Sequence, residues 1–375
     1  MRDRVLPVIF AITLIGVIGV AILAPAFPKI AHELNLSKSD VALLVTLFTL
    51  PGVVLAPIIG IMADRYGRKE ILIPSLFLFG VAGTLCAFVD FRLMLILRFL
   101  QGIGGAALTS LAATLIGDLY YGMDRAKALG YNASILSIGT ASYPLAGGLL
   151  ALFDWRYPFF TFILAIPVGI AAMTIPYKEI RQVEFKSYAK ESMRLLKNSS
   201  LLLGFVSGII VFVILYGAFI TYLPFLLNIK FMADSATIGI VQSSMSIVTA
   251  ITASKIDFFL RKFGEDKTIK LGSLFYMSSM LLTPFIPSLW LFIAVTILFG
   301  LGHGTVLPAI QNLVVSVAPT ENRAIVMTVY GSMVRIGQTV GPLIAAFIAY
   351  YSLDAVFIFS AILAAIAMLL YQILR

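Results

Sequence analysis

Charge is what this chain has least of. Asp, Glu, Lys and Arg together make up 12% of its 375 residues, where an average soluble domain carries roughly 25%. The mean hydropathy is +1.02. A surface that poor in polar groups cannot be covered against water, which excludes the soluble classes. Cysteine is nearly absent too. Cys86 is the only one, so an intrachain disulfide is excluded. No Gly-x-x-x-x-Gly-Lys-Ser/Thr stretch exists to cradle a nucleotide phosphate. No nucleophile–base or metal-ligand spacing occurs either, so the expectation is no enzyme, no metal and no other cofactor. The net charge of +9 reads as Lys and Arg gathered on membrane-flanking loops, not as a nucleic-acid footprint.

What the chain does have is apolar runs too long for barrel strands, which alternate over ~10 residues. A spanning helix takes ~20 apolar residues, and in lipid the backbone must satisfy its own hydrogen bonds, which makes these runs helices. Twelve are predicted. Helices 1 to 6 fall near 5–30, 38–63, 70–89, 91–117, 126–152 and 156–176. Helices 7 to 12 fall near 200–227, 236–260, 267–286, 289–315, 322–349 and 354–374. The start, Met1-Arg2-Asp3-Arg4 and then an apolar run, imitates a signal peptide. Eleven further candidate spans make it helix 1.

The long polar stretch at mid-chain divides the protein into residues 1–176, a linker at 177–199 and residues 200–375. The linker, rich in Lys and Arg mixed with Glu, is expected to lie in part as an amphipathic helix on anionic lipid. With the N-terminus inside, nineteen Lys and Arg fall on inside segments and five (Lys29, Lys38, Arg92, Arg156 and Lys230) on outside ends. That bias puts both termini in the cytoplasm.

The two halves repeat. Advancing the first by 198 residues lays Gly102-Ile103-Gly104 on Gly300-Leu301-Gly302, Arg125 on Arg323, Gly139 on Gly337, Pro144 on Pro342 and Phe159 on Phe357. At 197, Gly67 falls on Gly264. A parallel repeat of this kind predicts two bundles related by an axis along the membrane normal.

One loop gathers charge. Between helices 2 and 3, Gly60 to Leu72 holds Asp64, Arg65, Gly67, Arg68 and Lys69. It resembles the loop signature of the major facilitator superfamily, with Met62 where the signature has Leu. Gly19 with Pro25-Ala26-Phe27-Pro28 in helix 1 and Arg98 to Gly104 in helix 4 resemble its twelve-helix drug:proton antiporter branch. So does Gly139 with Pro144, Gly147 and Gly148 in helix 5. Tyr143 departs from the branch, which has Gly before that proline; Gly341-Pro342 in helix 11 keeps the pair.

The resemblance implies an all-α integral membrane protein of twelve transmembrane helices in two pseudo-symmetric six-helix bundles, the major facilitator fold. It implies a secondary transporter working by alternating access. The first expectation is a monomeric, proton-coupled exporter of drugs or other small organic compounds in the cell membrane. An importer or exchanger of a small anionic or sugar-like metabolite is the alternative, and a non-transporting sensor on the same fold the third. The resemblance also makes the loop a latch of Asp64, Arg65, Gly67, Arg68 and Asp118 that closes the inside gate, with the matching Asp near the start of helix 11. The competing reading is a solvated topology determinant. In the second half Arg261 and Glu265 replace Asp64 and Arg68, so the latch is expected on one side only.

Within the spans, the candidate coupling or cargo residues are Arg98, His303, Arg335, Gln338, Asn132 and Tyr216. Arg98 serves coupling or cargo, or else caps backbone carbonyls. His303 falls on Gly105 in the repeat, two turns after Arg98, so both are expected to share a face; it carries a proton, or is a buried histidine hydrogen-bonded to a neighbour, with close helix packing at Gly302 and Gly304 a further alternative. Arg335 receives an anionic group or pairs with a carboxylate not yet placed. Phe27, Tyr143, Tyr222 and Gln242 are further lining candidates. Gly139, Gly147, Gly148 and Gly341 are expected to let helices approach closely. No Asp or Glu stands at mid-span, so a site with Arg98, Arg335 and His303 should favour neutral or anionic cargo over lipophilic cations.

Overall fold

The computed structural model describes residues 2–177, 198–318 and 323–373. The linker expectation falls on residues outside that set, apart from its ends. Among the described residues ten helices are long and apolar enough to cross a membrane. The shorter apolar stretch Tyr157–Ala172 (helix 6) and the charged-fronted Ile256–Leu282 (helix 9) complete the twelve.

The carboxylates go to helix ends, where they do useful work. Asp40 closes a capping box with Ser37 at the start of helix 2, Lys38–Tyr66. Asp90 accepts from the Leu93 amide at the start of helix 4, and Asp234 from the Thr237 amide at the start of helix 8. Each cap satisfies amides that a helix start leaves without partners.

Both halves turn at the glycine that the repeat singles out. Gly67 has φ of 109° and Gly264 has φ of 74°, values that L side chains rarely adopt. The expected helix 8 differs. It runs Ser235–Ser254 and breaks at exposed Lys255; residues 256–263 then continue helically up to Gly264. Three more helices are less regular than expected. Pro25 and Pro28 split helix 1 into Arg2–Ala21, a turn at Ala24–Ala26, and Phe27–Glu33, since proline removes an amide donor. Helix 4 is Phe91–Gly105 and Leu108–Leu119, broken at Ala106-Ala107. Helix 7 contains a π-helical segment, Ile214–Tyr222, between Ser199–Val213 and Leu223–Phe231.

The repeat holds in packing detail. Gly104 of helix 4 is pressed against the Ser75 carbonyl and Phe79 amide of helix 3 (Arg68–Leu85). Gly302 of helix 10 (Leu289–Val317) meets the Gly272 carbonyl and Tyr276 amide of helix 9 in the same way.

The bundles meet tightly at one end and part at the other. Away from the Gly67 and Gly264 turns, helix 5 (Gly122–Phe153) lies on helix 8. Gly148 abuts the Ser235 backbone, Gly239 abuts the Pro144 backbone, and the Leu145 amide donates to the Ser243 hydroxyl at 3.0 Å. Pro144 cannot continue its own helix's bonding, and the Ser243 bond crosses the bundle interface there. Helix 2 lies on helix 11 (Arg323–Tyr351) through Thr49 and Thr339, whose hydroxyls bond at 3.0 Å. At the loop end the packing is gone. A Cβ added to Gly60, Gly117, Gly130 or Gly331 would meet nothing within 4 Å. From Tyr121 to Ser134 only Ala128 is buried. A helix lined by lipid on one side alone would bury its other face, so helix 5 borders an opening there.

Candidate functional site

The charged loop assembles as a brace within the first bundle. Arg68 pairs with Asp64 one turn back, at 3.0 Å, and its Nε donates to Asp118 at the end of helix 4. Arg65 points away, with its guanidinium 5.4 Å from the Tyr66 ring. All three paired residues belong to one bundle, and the opening lies beside them. The ion pairs therefore do not depend on a closed gate. The start of helix 11, where the matching Asp was expected, is preceded by residues 319–322, outside the described set. In the second half Glu265, in the place of Arg68, accepts a hydrogen bond from Asn312 of helix 10.

Arg98 resolves to the carbonyl-capping alternative. It is fully buried. Its Nε donates to the Leu44 carbonyl (3.1 Å), Nη1 to Gln101 (2.6 Å) and Nη2 to the Gly19 carbonyl (3.1 Å). The Phe48 ring lies 4.4 Å from its guanidinium carbon, a cation–π distance. Arg98 thus knots helices 1, 2 and 4 of the first bundle and faces no cavity. The expectation that Arg98 and His303 look into one space fails on this point. Gln101 was the missed partner; its spacing of three residues from Arg98 on one helix was the available signal.

His303 lies in the second bundle, 9% exposed. Its Nδ1 is bonded to the Tyr276 hydroxyl of helix 9, and its ring stacks on Phe299. The repeat gives this pair its meaning. Gly105 and Phe79 occupy the matching places in the first bundle, where a Cβ on Gly105 would meet the Phe79 ring at 3.2 Å. One half fills the position with dry packing; the other installs an imidazole and a phenol. The imidazole Nε2 makes no hydrogen bond among the described residues.

Aromatic rings lead from His303 toward Arg335. Phe212 of helix 7 contacts the His303 ring at 6.2 Å and the Tyr216 ring at 6.1 Å between centroids. Tyr216 stands in the π segment, a feature frequent at functional sites, and is electrostatically coupled to Arg335. Arg335 reaches out of the second bundle. Its Nη2 donates to the Ala106 carbonyl at the break in helix 4, at 2.6 Å, and its side chain covers Gly52 of helix 2. The carboxylate partner left open for it is absent among the described residues. Gln338 follows three residues on, half-buried.

Further candidates make contacts between helices. Asn132 accepts from the Thr13 hydroxyl at 2.7 Å, joining helices 1 and 5. Tyr143 donates to the Leu14 carbonyl at 3.1 Å, so its departure from the usual Gly adds a tie between the same helices. Gly139 faces the Leu14 side chain, Gly147 the Ile22 carbonyl, and Gly341 the Val213 and Gly217 backbone. Pro342 follows Gly341 within helix 11.

Two six-helix bundles, a glycine-turned loop in each half and a mid-span polar cluster at their junction describe a transporter. The profile of the Major Facilitator Superfamily matches residues 9–231 and 222–375. The chain belongs to the Major Facilitator Superfamily. It is a multi-pass membrane transporter. It is 26% identical over 381 residues to the Bacillibactin exporter of Bacillus subtilis (strain 168), covering 96% of this chain and 93% of that one. It is 26% identical over 383 residues to Multidrug resistance protein 1 of the same organism, covering 98% and 96%. In structure it resembles the nucleoside transporter NupG with a TM-score of 0.84 over 98% of both chains, at 13% identity. That last likeness speaks for the fold alone.

Proposed function

We propose that this superfamily member exports small organic compounds from the cell by alternating access, driven by protons moving inward, and that His303 carries the proton. The loop end with Arg68 is taken as cytoplasmic, with both termini on that side, on the strength of the Lys and Arg bias. The arrangement is then inward-open, with the outer end shut by the helix 5–helix 8 and helix 2–helix 11 contacts. Rocking one bundle against the other reverses it. The names of two relatives, an exporter and a multidrug resistance protein, support the outward direction.

The observation that carries the reading is the Tyr276–His303 pair in a place that the first half fills with Phe79 and Gly105. In the tautomer whose Nδ1–H donates to the tyrosine oxygen, Nε2 is left as an acceptor for a proton. It takes a proton when the site faces outside and releases it when the site faces the cytoplasm, where cargo enters. No acidic side chain at mid-span shares this task among the described residues.

His303→Gln in proteoliposomes tests the proposal. Glutamine can still bond to Tyr276 but binds no proton at working pH. The expected outcome is that exchange of cargo across equal pH persists while accumulation driven by a pH gradient disappears. Full gradient-driven accumulation in that variant would refute the assignment.

A further inference from the structure

Of the three basic side chains at mid-span, only one keeps positive charge with donors to offer. Arg98 uses all three of its nitrogens inside the first bundle. His303 is an imidazole held by Tyr276. Arg335 makes a single hydrogen bond, from Nη2 to Ala106. Among the described residues its Nε and Nη1 make no hydrogen bond, and Nη1 packs against Gly52 of helix 2.

A guanidinium presents two planar forks, and Nη2 contributes one hydrogen to each. The Ala106 carbonyl occupies one of those hydrogens, which leaves the other fork complete. Ionisable groups within a membrane pair with one another or with carbonyls. A carbonyl dipole does not neutralise a full charge, and Arg335 has no carboxylate beside it among the described residues. Its position also matters. It belongs to helix 11, and it is braced by helix 4 and covers helix 2 of the opposite bundle.

We infer that the missing counter-ion is the cargo. Resting on the transport reading above, the structure assigns Arg335 as the receptor for a carboxylate on an organic acid. The Ala106 carbonyl, freed at the helix 4 break, holds the guanidinium so that its open fork faces the acid. Anion binding then depends on both bundles, because the receptor comes from one and its brace from the other. A rocking motion that pulls Ala106 away lets the fork swing and weakens the grip on the acid, which suits release on the far side.

The experiment measures equilibrium binding to purified protein of three aryl carboxylates of increasing size and their primary amides. Wild type should bind at least one acid about 10- to 100-fold more tightly than its amide, the range for a charge-assisted bidentate contact. Arg335→Gln should bring acid and amide within about threefold of each other by weakening the acid alone. Gly52→Ala provides a second route that keeps the charge. Its new methyl would lie 3.1 Å from Arg335 Cδ and 3.2 Å from Cζ, so it displaces the guanidinium and should lower acid affinity without lowering that of the amide. The inference is overturned if no acid outbinds its amide in wild type, or if Arg335→Gln retains the preference. Should Arg335→Gln fail to accumulate, an undiminished preference in Gly52→Ala overturns it instead. Transport is read separately: acids that bind selectively but do not move under a pH gradient would refute the exporter reading and leave the receptor standing.

Discussion

Gly148→Ala should pry open the outer end of this transporter without unfolding it. A Cβ on Gly148 would sit 3.0 Å from the Ser235 carbonyl carbon and 3.1 Å from Ala236 Cα, with the Ser235 carbonyl oxygen closer still. Those neighbours are backbone of helix 8, in the opposite bundle, so no side chain can swing aside. Helix 5 must instead back away from helix 8. Overpacking of this kind costs about 1–3 kcal/mol, and here it falls on one conformation only, because the contact exists only when the outer end is shut. The ratio of inward-open to outward-open molecules should therefore drop about 5- to 150-fold. Gly239→Ala, which meets the Pro144 carbonyl carbon at 3.1 Å from the other side, should act in the same direction. Gly147→Ala is the control. Gly147 abuts Ile22 of helix 1, within one bundle, so its overpacking should lower thermal stability and leave the conformational ratio alone. Spin labels at Phe153→Cys and Tyr350→Cys would report the outer end by their distance distribution. Both sites are exposed, and native Cys86 is buried where a label cannot reach. Identical distributions in wild type and Gly148→Ala, or the same shift in Gly147→Ala, would refute the reasoning.

Two further outcomes are expected. Arg98→Ala removes donors from two backbone carbonyls and Gln101 and leaves a void, a loss of about 2–4 kcal/mol that a melting curve in detergent would register; Arg98→Lys should recover little, since an ammonium on one stem cannot span all three acceptors. Arg68→Gln and Asp118→Asn should each destabilise the first bundle by about 1–2 kcal/mol. A double-mutant cycle on thermal stability would return a coupling energy near the single-variant effect if the pair is the brace described.

The chain by itself determined the membrane class, the number of spans and the superfamily. Those follow from quantities that survive without coordinates: apolar runs too long for anything but spanning helices, and glycines and prolines recurring at one offset. The turns at Gly67 and Gly264 were legible for the same reason, since a backbone with positive φ calls for one residue type. The partners of the mid-span cations were not legible. Arg98 and Arg335 look alike in sequence, each the single arginine at the middle of an apolar span. Their partners include backbone carbonyls of Gly19, Leu44 and Ala106, and a carbonyl carries no side-chain signature. Only the packing of helices 1, 2 and 4 buries one guanidinium completely. Only the break at Ala106, facing helix 11 across the junction of the bundles, leaves the other with an open fork. The π segment around Tyr216 and the meeting of Tyr276 with His303 were likewise decided by tertiary structure, because they depend on which faces of separate helices come together.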